Sequence, residues 1–97
     1  MTITKKQEGG NLTVLLVGRL DTTTSPALEK ELGILEGVTA LTFDFTELEY
    51  ISSAGLRVLL SAQKKMQGKG TMKVIGVNET VNEVFEVTGF SEILTIE

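Results

Sequence analysis

The sequence predicts an α/β fold, a single domain over residues 1–97 with a mixed β-sheet of four to five strands and helices packed on it. Three observations carry this expectation. Apolar residues recur with a period of about two in some runs and about 3.6 in others, in the order strand, strand, helix, strand, helix, strand, helix. Between the first two strand-like runs lie Gly9, Gly10 and Asn11, the turn residues of an antiparallel hairpin. Each later pair of strands is separated by a helical segment, which calls for right-handed β-α-β crossovers, so antiparallel and parallel pairs share one sheet. The 97 residues suffice for one modest core, and no repeat, linker or low-complexity segment divides them.

The elements follow in order. An opening strand runs from about Thr2 to Gln7, and after the turn "LTVLLVGRL" is rich in β-forming residues. In "DTTTSPALEKELGILEG", Asp21 and the Thr/Ser cluster supply cap candidates and Pro26 suits a first helical turn. Leu28, Leu32 and Leu35 repeat at helical spacing, and Gly37 marks the stop. "VTALTFDFTEL" places Leu41, Phe43 and Phe45 on one face against Thr42 and Asp44, while Val38 and Ala40 break the alternation; it is expected as a largely buried strand. From Ala54 a second helix turns Leu56, Leu59, Leu60 and Met66 inward and Arg57, Ser61, Lys64 and Lys65 outward, ending near Gly68. "TMKVIGV" is a further strand. "NETVNEVFEVTGF" is a third helix with Val81, Val84, Phe85 and Thr88 inward, Asn78 as cap and Gly89 as stop. The tail "SEILTIE" is either a short edge strand or a final turn.

Composition narrows the function. Nine basic against thirteen acidic residues give a net charge of −4, which opposes phosphate-dominated binding, so no nucleic-acid partner is expected. The weakly basic run "KKMQGKGTMK" is explained by a solvated helix end. Apolar runs fall short of the roughly 20 residues of a membrane span, and "MTITKKQEGG" lacks the apolar stretch of a signal peptide. A cytoplasmic setting without membrane contact is the expectation. With no histidine and no cysteine, metal ligands reduce to carboxylates, and the commonest general base and thiol nucleophile are absent. Neither an enzyme nor a cofactor or metal site is expected; Asp21, Asp44 and the glutamates show no evident means of tuning their acidity.

Against that background, "YISSAGLRVLL" places Ser52 and Ser53 between a buried strand and the second helix, with Gly55 giving the backbone room. One of Ser52, Ser53 and Ala54 falls at the N-cap or in the first turn. A serine there can cap the helix, worth roughly 1 kcal/mol. It can instead be a phosphorylation site, where the added charge of about −1.5 to −2 meets the positive end of the helix dipole and leaves the fold intact. Such a switch would act on a partner's surface, since a hundredfold change in affinity needs only about 2.7 kcal/mol. A phosphate-cradling loop is the third reading, but "SSAG" lacks the glycines and lysine of a P-loop, and "GKGT" at Gly68 to Thr71 precedes a strand.

"VGRLD", "LTFDFTELEYISSAGLRVLLSAQKKM" and "KVIGVNETVNEVFEVTGF" together resemble the STAS-domain family, specifically its stand-alone anti-sigma factor antagonists, over nearly the whole chain. The resemblance implies a STAS-like domain whose partner is an anti-sigma factor that is also a serine kinase. Binding would release the sigma factor, phosphorylation of one serine would end it, and a PP2C-type serine phosphatase would restore it. Aligned on Gly55 and Leu56, that serine is Ser53. Ser52 and Ala54 stand where the family usually has Asp and Ser or Thr, which makes Ser52 a possible second site. Asp21 matches an acidic position near the phosphorylation loop, although a helix-capping aspartate would sit there too. The implied partner surface comprises Asp21, Thr22, Thr23, Ser52, Ser53, Ala54, Gly55 and Arg57; Arg57 could join the partner surface, screen a phosphate, or simply be solvated. Two other readings stand beside this one: a constitutive STAS module of a sensory or transport assembly without a switch, and a module that binds a nucleotide or lipid. The oligomeric state is left open.

Overall fold

A computed structural model describes residues 1–33 and 35–97. The strands are β1 (Thr2–Glu8), β2 (Asn11–Leu20), β3 (Ala40–Ile51) and β4 (Thr71–Ile75). The helices are α1 (Ser25–Leu32), α2 (Ser53–Met66) and α3 (Glu79–Thr88), followed by a 3₁₀ turn at Phe90–Glu92. The four strands form one mixed sheet in the order β1-β2-β3-β4. β1 pairs antiparallel with β2 across the Gly9–Gly10 turn, whose first glycine has φ 61°. The β2–β3 and β3–β4 pairs are parallel, as the α1 and α2 crossovers require. The expected α/β class, mixed sheet and single core are all present.

The helices pack on one face of the sheet. That face carries Leu12, Val14 and Leu16 from β2 and Leu41, Phe43 and Phe45 from β3, all buried, and α2 adds Leu56, Leu59 and Met66. On the opposite face Thr13, Leu15, Thr42 and Asp44 are half-buried. Strict alternation holds in β3 only as far as Phe45. Two register shifts then occur against β2, between Leu15 and Val17 and between Gly18 and Arg19, each giving β3 one extra residue. The buried positions therefore step to Leu48 and then to Ile51. The bulges bend the end of β3 so that Tyr50 and Ile51 pair with Arg19 and Leu20, and this sets the Ser52 segment beside the start of the β2–α1 loop.

Several expected boundaries move. α1 ends at Leu32, not near Gly37, because Gly33 adopts φ 54° and its N–H closes the last turn on the Glu29 carbonyl. Leu35 is buried, but in the loop beyond the helix and at φ 55°, so its helical spacing from Leu32 does not reflect a shared helix face. Pro26 does occupy the first turn. α2 begins at Ser53 and stops at Met66, two residues before Gly68. Its buried face also includes Gly55, Val58 and Ala62, which rotates Leu60 to a half-buried flank. The lysines of the weakly basic run are not merely solvated, since Lys65 Nζ donates to the Gly33 carbonyl (2.6 Å) and Lys69 Nζ to that of Leu35 (2.6 Å). They supply donors to carbonyls that follow the end of α1.

α3 begins and ends as expected. The Asn78 side chain accepts from the Val81 amide (2.8 Å) and donates to the Leu48 carbonyl (2.8 Å), and Gly89 ends the helix at φ 82°. Val81 and Phe85 are fully buried, the latter with its ring 6.4 Å from that of Phe45. Thr88 is exposed instead of inward, its hydroxyl donating to the Val84 carbonyl (2.7 Å). The tail combines both expectations. After the 3₁₀ turn, Ile96 bridges Val74 in parallel, with Val74 N–H on the Thr95 carbonyl and Glu97 N–H on the Val74 carbonyl (each 2.9 Å).

Candidate functional site at the start of the second helix

Two loops meet at the ends of β2 and β3. At the end of β3, Ile51 is fully buried and Ser52 takes an extended conformation (φ −102°, ψ 176°), its N–H donating to the Leu20 carbonyl (2.9 Å). Its own carbonyl accepts the first helical bond, from Leu56 (3.0 Å), so Ser52 is the N-cap residue. The side-chain cap expected of such a serine is absent: Ser52 Oγ bonds no first-turn amide, is buried, and has no partner among the described residues. Ser53 is the first residue of α2 and is exposed, whereas Ala54 is half-buried.

Gly55 is buried, and its lack of a Cβ is what lets α2 settle on the sheet. A Cβ there would lie 2.8 Å from Leu20 Cγ and 2.8 Å from Ile51 Cγ1, and both side chains are fully buried. Gly55 thus sets how close the first turn of α2 comes to the strand ends, and with it the position of Ser53.

The β2–α1 loop is organised by Asp21, which is not the N-cap of α1; Thr24 holds that place and makes no side-chain cap. Asp21 Oδ1 accepts from Thr23 Oγ1 (2.7 Å), Thr23 N (3.0 Å) and Thr24 N (3.1 Å). The Thr23 hydroxyl foremost, joined by the backbone amides and the Thr24 hydroxyl, holds the carboxyl below its ordinary range, against desolvation, which pushes the other way. Thr24 Oγ1 in turn accepts from the Asp21 amide (2.8 Å) and donates to the Arg19 carbonyl (2.8 Å). The Arg19 guanidinium lies over the Tyr50 ring, 4.7 Å from its centroid, and ties the ends of β2 and β3 together. Thr22 and Thr23 are exposed.

A cleft of about 360 Å³ separates the first turns of α1 and α2, lined by Thr22, Ser25, Pro26, Glu29, Ala54 and Arg57. Arg57 also borders a shallow depression along the exposed side of α2 that reaches Ser61, Lys64 and Lys65. Of the expected partner surface, Thr22, Ala54 and Arg57 line this cleft; Ser53 is exposed at the start of the helix that forms one wall, Asp21 and Thr23 lie in the adjoining loop, and Gly55 is buried beneath the first turn. Ser25, Glu29 and Tyr50 are additions. Ser25 is only 3% exposed and its hydroxyl has no partner among the described residues, although in the sequence it looks like one more cap candidate beside Pro26. No local pattern singles out Glu29 or Tyr50, because their place here comes from helix–helix and strand pairing.

This geometry, a mixed sheet backed by helices with two loops converging on one helix start, is that of a STAS domain. The STAS domain model matches residues 2–97, and the chain belongs to that family. Among characterised relatives, the anti-sigma-B factor antagonist of Listeria monocytogenes is 29% identical over 97 residues, covering 96% of this chain and 84% of that protein. BtrV of Bordetella bronchiseptica, a candidate anti-sigma factor antagonist, is 34% identical over 99 residues, covering 99% and 85%. The fold is shared with an anti-sigma factor antagonist from Mycobacterium paratuberculosis (TM-score 0.89, 24% identity, 98% and 83% coverage). It is shared also with the phosphorylated form of the Bacillus cell-fate determinant SpoIIAA (TM-score 0.77, 17% identity, 99% and 91% coverage). No helix among the described residues is long and apolar enough to cross a membrane.

Proposed function

We propose that this chain is an anti-sigma factor antagonist that works as a phosphorylation-controlled partner switch. The carrying observation is the exposed Ser53 at the first position of α2, on the helix whose Ala54 and Arg57 line a cleft with Thr22 of the β2–α1 loop, in a domain whose relatives bear that role by name. Unmodified, the surface around Ser53 docks on an anti-sigma factor that is a serine kinase, and the sigma factor is released. In the modification step Ser53 Oγ bonds to the γ-phosphorus of ATP while the bond to the β-phosphate bridging oxygen breaks. ADP leaves with that electron pair, and the hydroxyl proton passes to a base on the kinase. A PP2C-type serine phosphatase returns the hydroxyl by hydrolysis. The chain itself is a binding protein and not an enzyme, acting in the cytoplasm without a cofactor.

The chemistry favours Ser53 over Ser52 as the acceptor, because Ser53 is exposed while Ser52 Oγ is buried against the strand ends. Phosphate at the start of α2 meets the positive end of the helix dipole, so the modification changes the docking surface and leaves the fold in place. A constitutive STAS module of a sensory or transport assembly is the second reading, favoured by the serine at position 52 where the antagonists usually carry Asp.

The test is a capture experiment from native cytosol with ATP, using wild type, Ser53→Ala and Ser53→Asp as baits, followed by binding measurements on whatever kinase is retained. The expected result is a serine kinase held by wild type and Ser53→Ala and lost, by tenfold or more in affinity, from Ser53→Asp or the phosphoprotein. Identical partners on all three baits, bound equally by the phosphoprotein, would replace the switch with the constitutive module.

A further inference from the structure

The exposed side of α2 carries an unusual charge distribution. Its fourteen residues include Arg57, Lys64 and Lys65 and no acid at all, in a chain of net charge −4. Lys65 is engaged with the Gly33 carbonyl, but Arg57 makes no hydrogen bond or ion pair among the described residues. Arg57 stands four residues after Ser53. Side chains on a helix lean toward its N-terminus, so a long residue covers the turn that precedes it and residues i and i+4 meet on one face. Arg57 accordingly shares a cleft wall with Ala54 and Thr22 at the first turn.

We propose that Arg57 is an internal receptor for the phosphoryl group: once Ser53 is phosphorylated, the guanidinium four residues on captures the phosphate oxygens in a fork of two N–H donors. The inference rests on Ser53 being the modified residue. It adds which group in the chain receives the charge. A planar guanidinium matches two phosphate oxygens at once, which a lysine ammonium does not. Capture also withdraws the cation at Arg57 from the first two turns of α2, so a partner carboxylate that pairs with Arg57 in the unmodified protein loses its counter-charge and faces a phosphate.

The second ionisation of the phosphoserine reports the clamp, because a cation held beside the phosphate favours the dianion. Ordinarily it falls near pH 6. The other charged groups around this helix start are Glu29 across the cleft, Asp21 in the β2–α1 loop and Arg19 at the end of β2, the last two paired with each other, and all three, like the first-turn amides, stay the same when Arg57 alone is changed.

The experiment uses full-length protein with phosphoserine placed at position 53 during translation, titrated by ³¹P NMR as wild type, Arg57→Gln, Arg57→Lys and Lys64→Gln. The expected midpoint rises by about half a pH unit in Arg57→Gln, with Arg57→Lys in between. It is unchanged in Lys64→Gln, which removes the same charge at a point about 16 Å along the helix from Ser53. In urea all four converge. Equal midpoints for folded wild type and Arg57→Gln, or an equal rise in Lys64→Gln, would overturn the clamp. No kinase is needed, so failure here is separate from failure of the partner switch: the capture experiment can succeed with equal midpoints, and the midpoints can differ where no kinase is captured.

Discussion

The serines and the aspartate of the site show how similar polar residues acquire different roles from their surroundings. Ser52 and Ser53 are adjacent, yet Ser53 is exposed to solvent while Ser52 buries an oxygen with no partner among the described residues, a cost of about 1–3 kcal/mol for a lone polar group. Asp21 is the counter-example, its Oδ1 satisfied by the hydroxyl and amide of Thr23 and the amide of Thr24. Those bonds favour the carboxylate, so Asp21 titrates below its ordinary value of 3.8 in the folded protein. Its contribution to the loop is therefore present above the unfolded value and lost as pH falls through the depressed folded one. Removing the foremost cause should bring the carboxyl back toward its ordinary range. In ¹³C NMR titrations the Asp21 midpoint is expected to rise in Thr23→Val relative to wild type, and an unchanged midpoint would show that the amides alone hold the carboxylate.

Individual elements are positioned by devices at their ends more than by their interiors. α3 is bounded by a capping Asn78 that also reaches back to β3, and by a left-handed Gly89. α1 has no side-chain cap and stops at Gly33, leaving Lys65 and Lys69 to bond carbonyls beyond it. α2 has no side-chain cap either, and its seating depends on the bare backbone at Gly55 and on its apolar face. That face is rotated from the leucine pattern of the sequence: Leu59 is fully buried while its neighbour Leu60 is half-buried. Leu59→Ala should cost about 2–5 kcal/mol and Leu60→Ala roughly 1 kcal/mol or less, measured by urea unfolding of each. Equal losses would mean that α2 sits on the sheet in a different rotation.

The whole molecule is a sheet with helices on one face, and its end segment completes that layer. Phe45 of β3 packs between Phe43 of the same strand and Phe85 of α3, and Leu94, 5% exposed, closes the core beside the added Val74–Ile96 bridge. Because Val74 is bonded on that side only through Thr95 and Glu97, the integrity of the end segment can be read at one amide. Leu94→Ala is expected to lower stability by about 2–5 kcal/mol and to speed hydrogen exchange at the Thr95–Glu97 bridge and the Val74 amide. Loss of stability with Val74 still protected would show that the bridge holds without the Leu94 anchor.

Much of this was legible in order and kind. The change of period, the Gly9–Gly10 turn and the caps at Asn78 and Gly89 determine seven elements and a mixed sheet, because hydrophobic period and turn chemistry act locally. The motif around Ser53 was legible as well, with its family, since it lies in one continuous segment. What the tertiary structure alone decided was everything that depends on a second segment. The two bulges of β3 are defined only against β2, and they turn Leu48 and Ile51 inward out of phase with Phe45. Leu35 is buried by the loop it lies in and not by the helix its spacing suggests, and Thr88 turns outward because Val81 and Phe85 already fill the seam against β3. The same holds for the site. A chain can specify a serine at the start of a helix, but whether its hydroxyl caps, hides or faces a partner is fixed by how closely Gly55 lets that helix approach Leu20 and Ile51, and that distance exists only when the strands are paired.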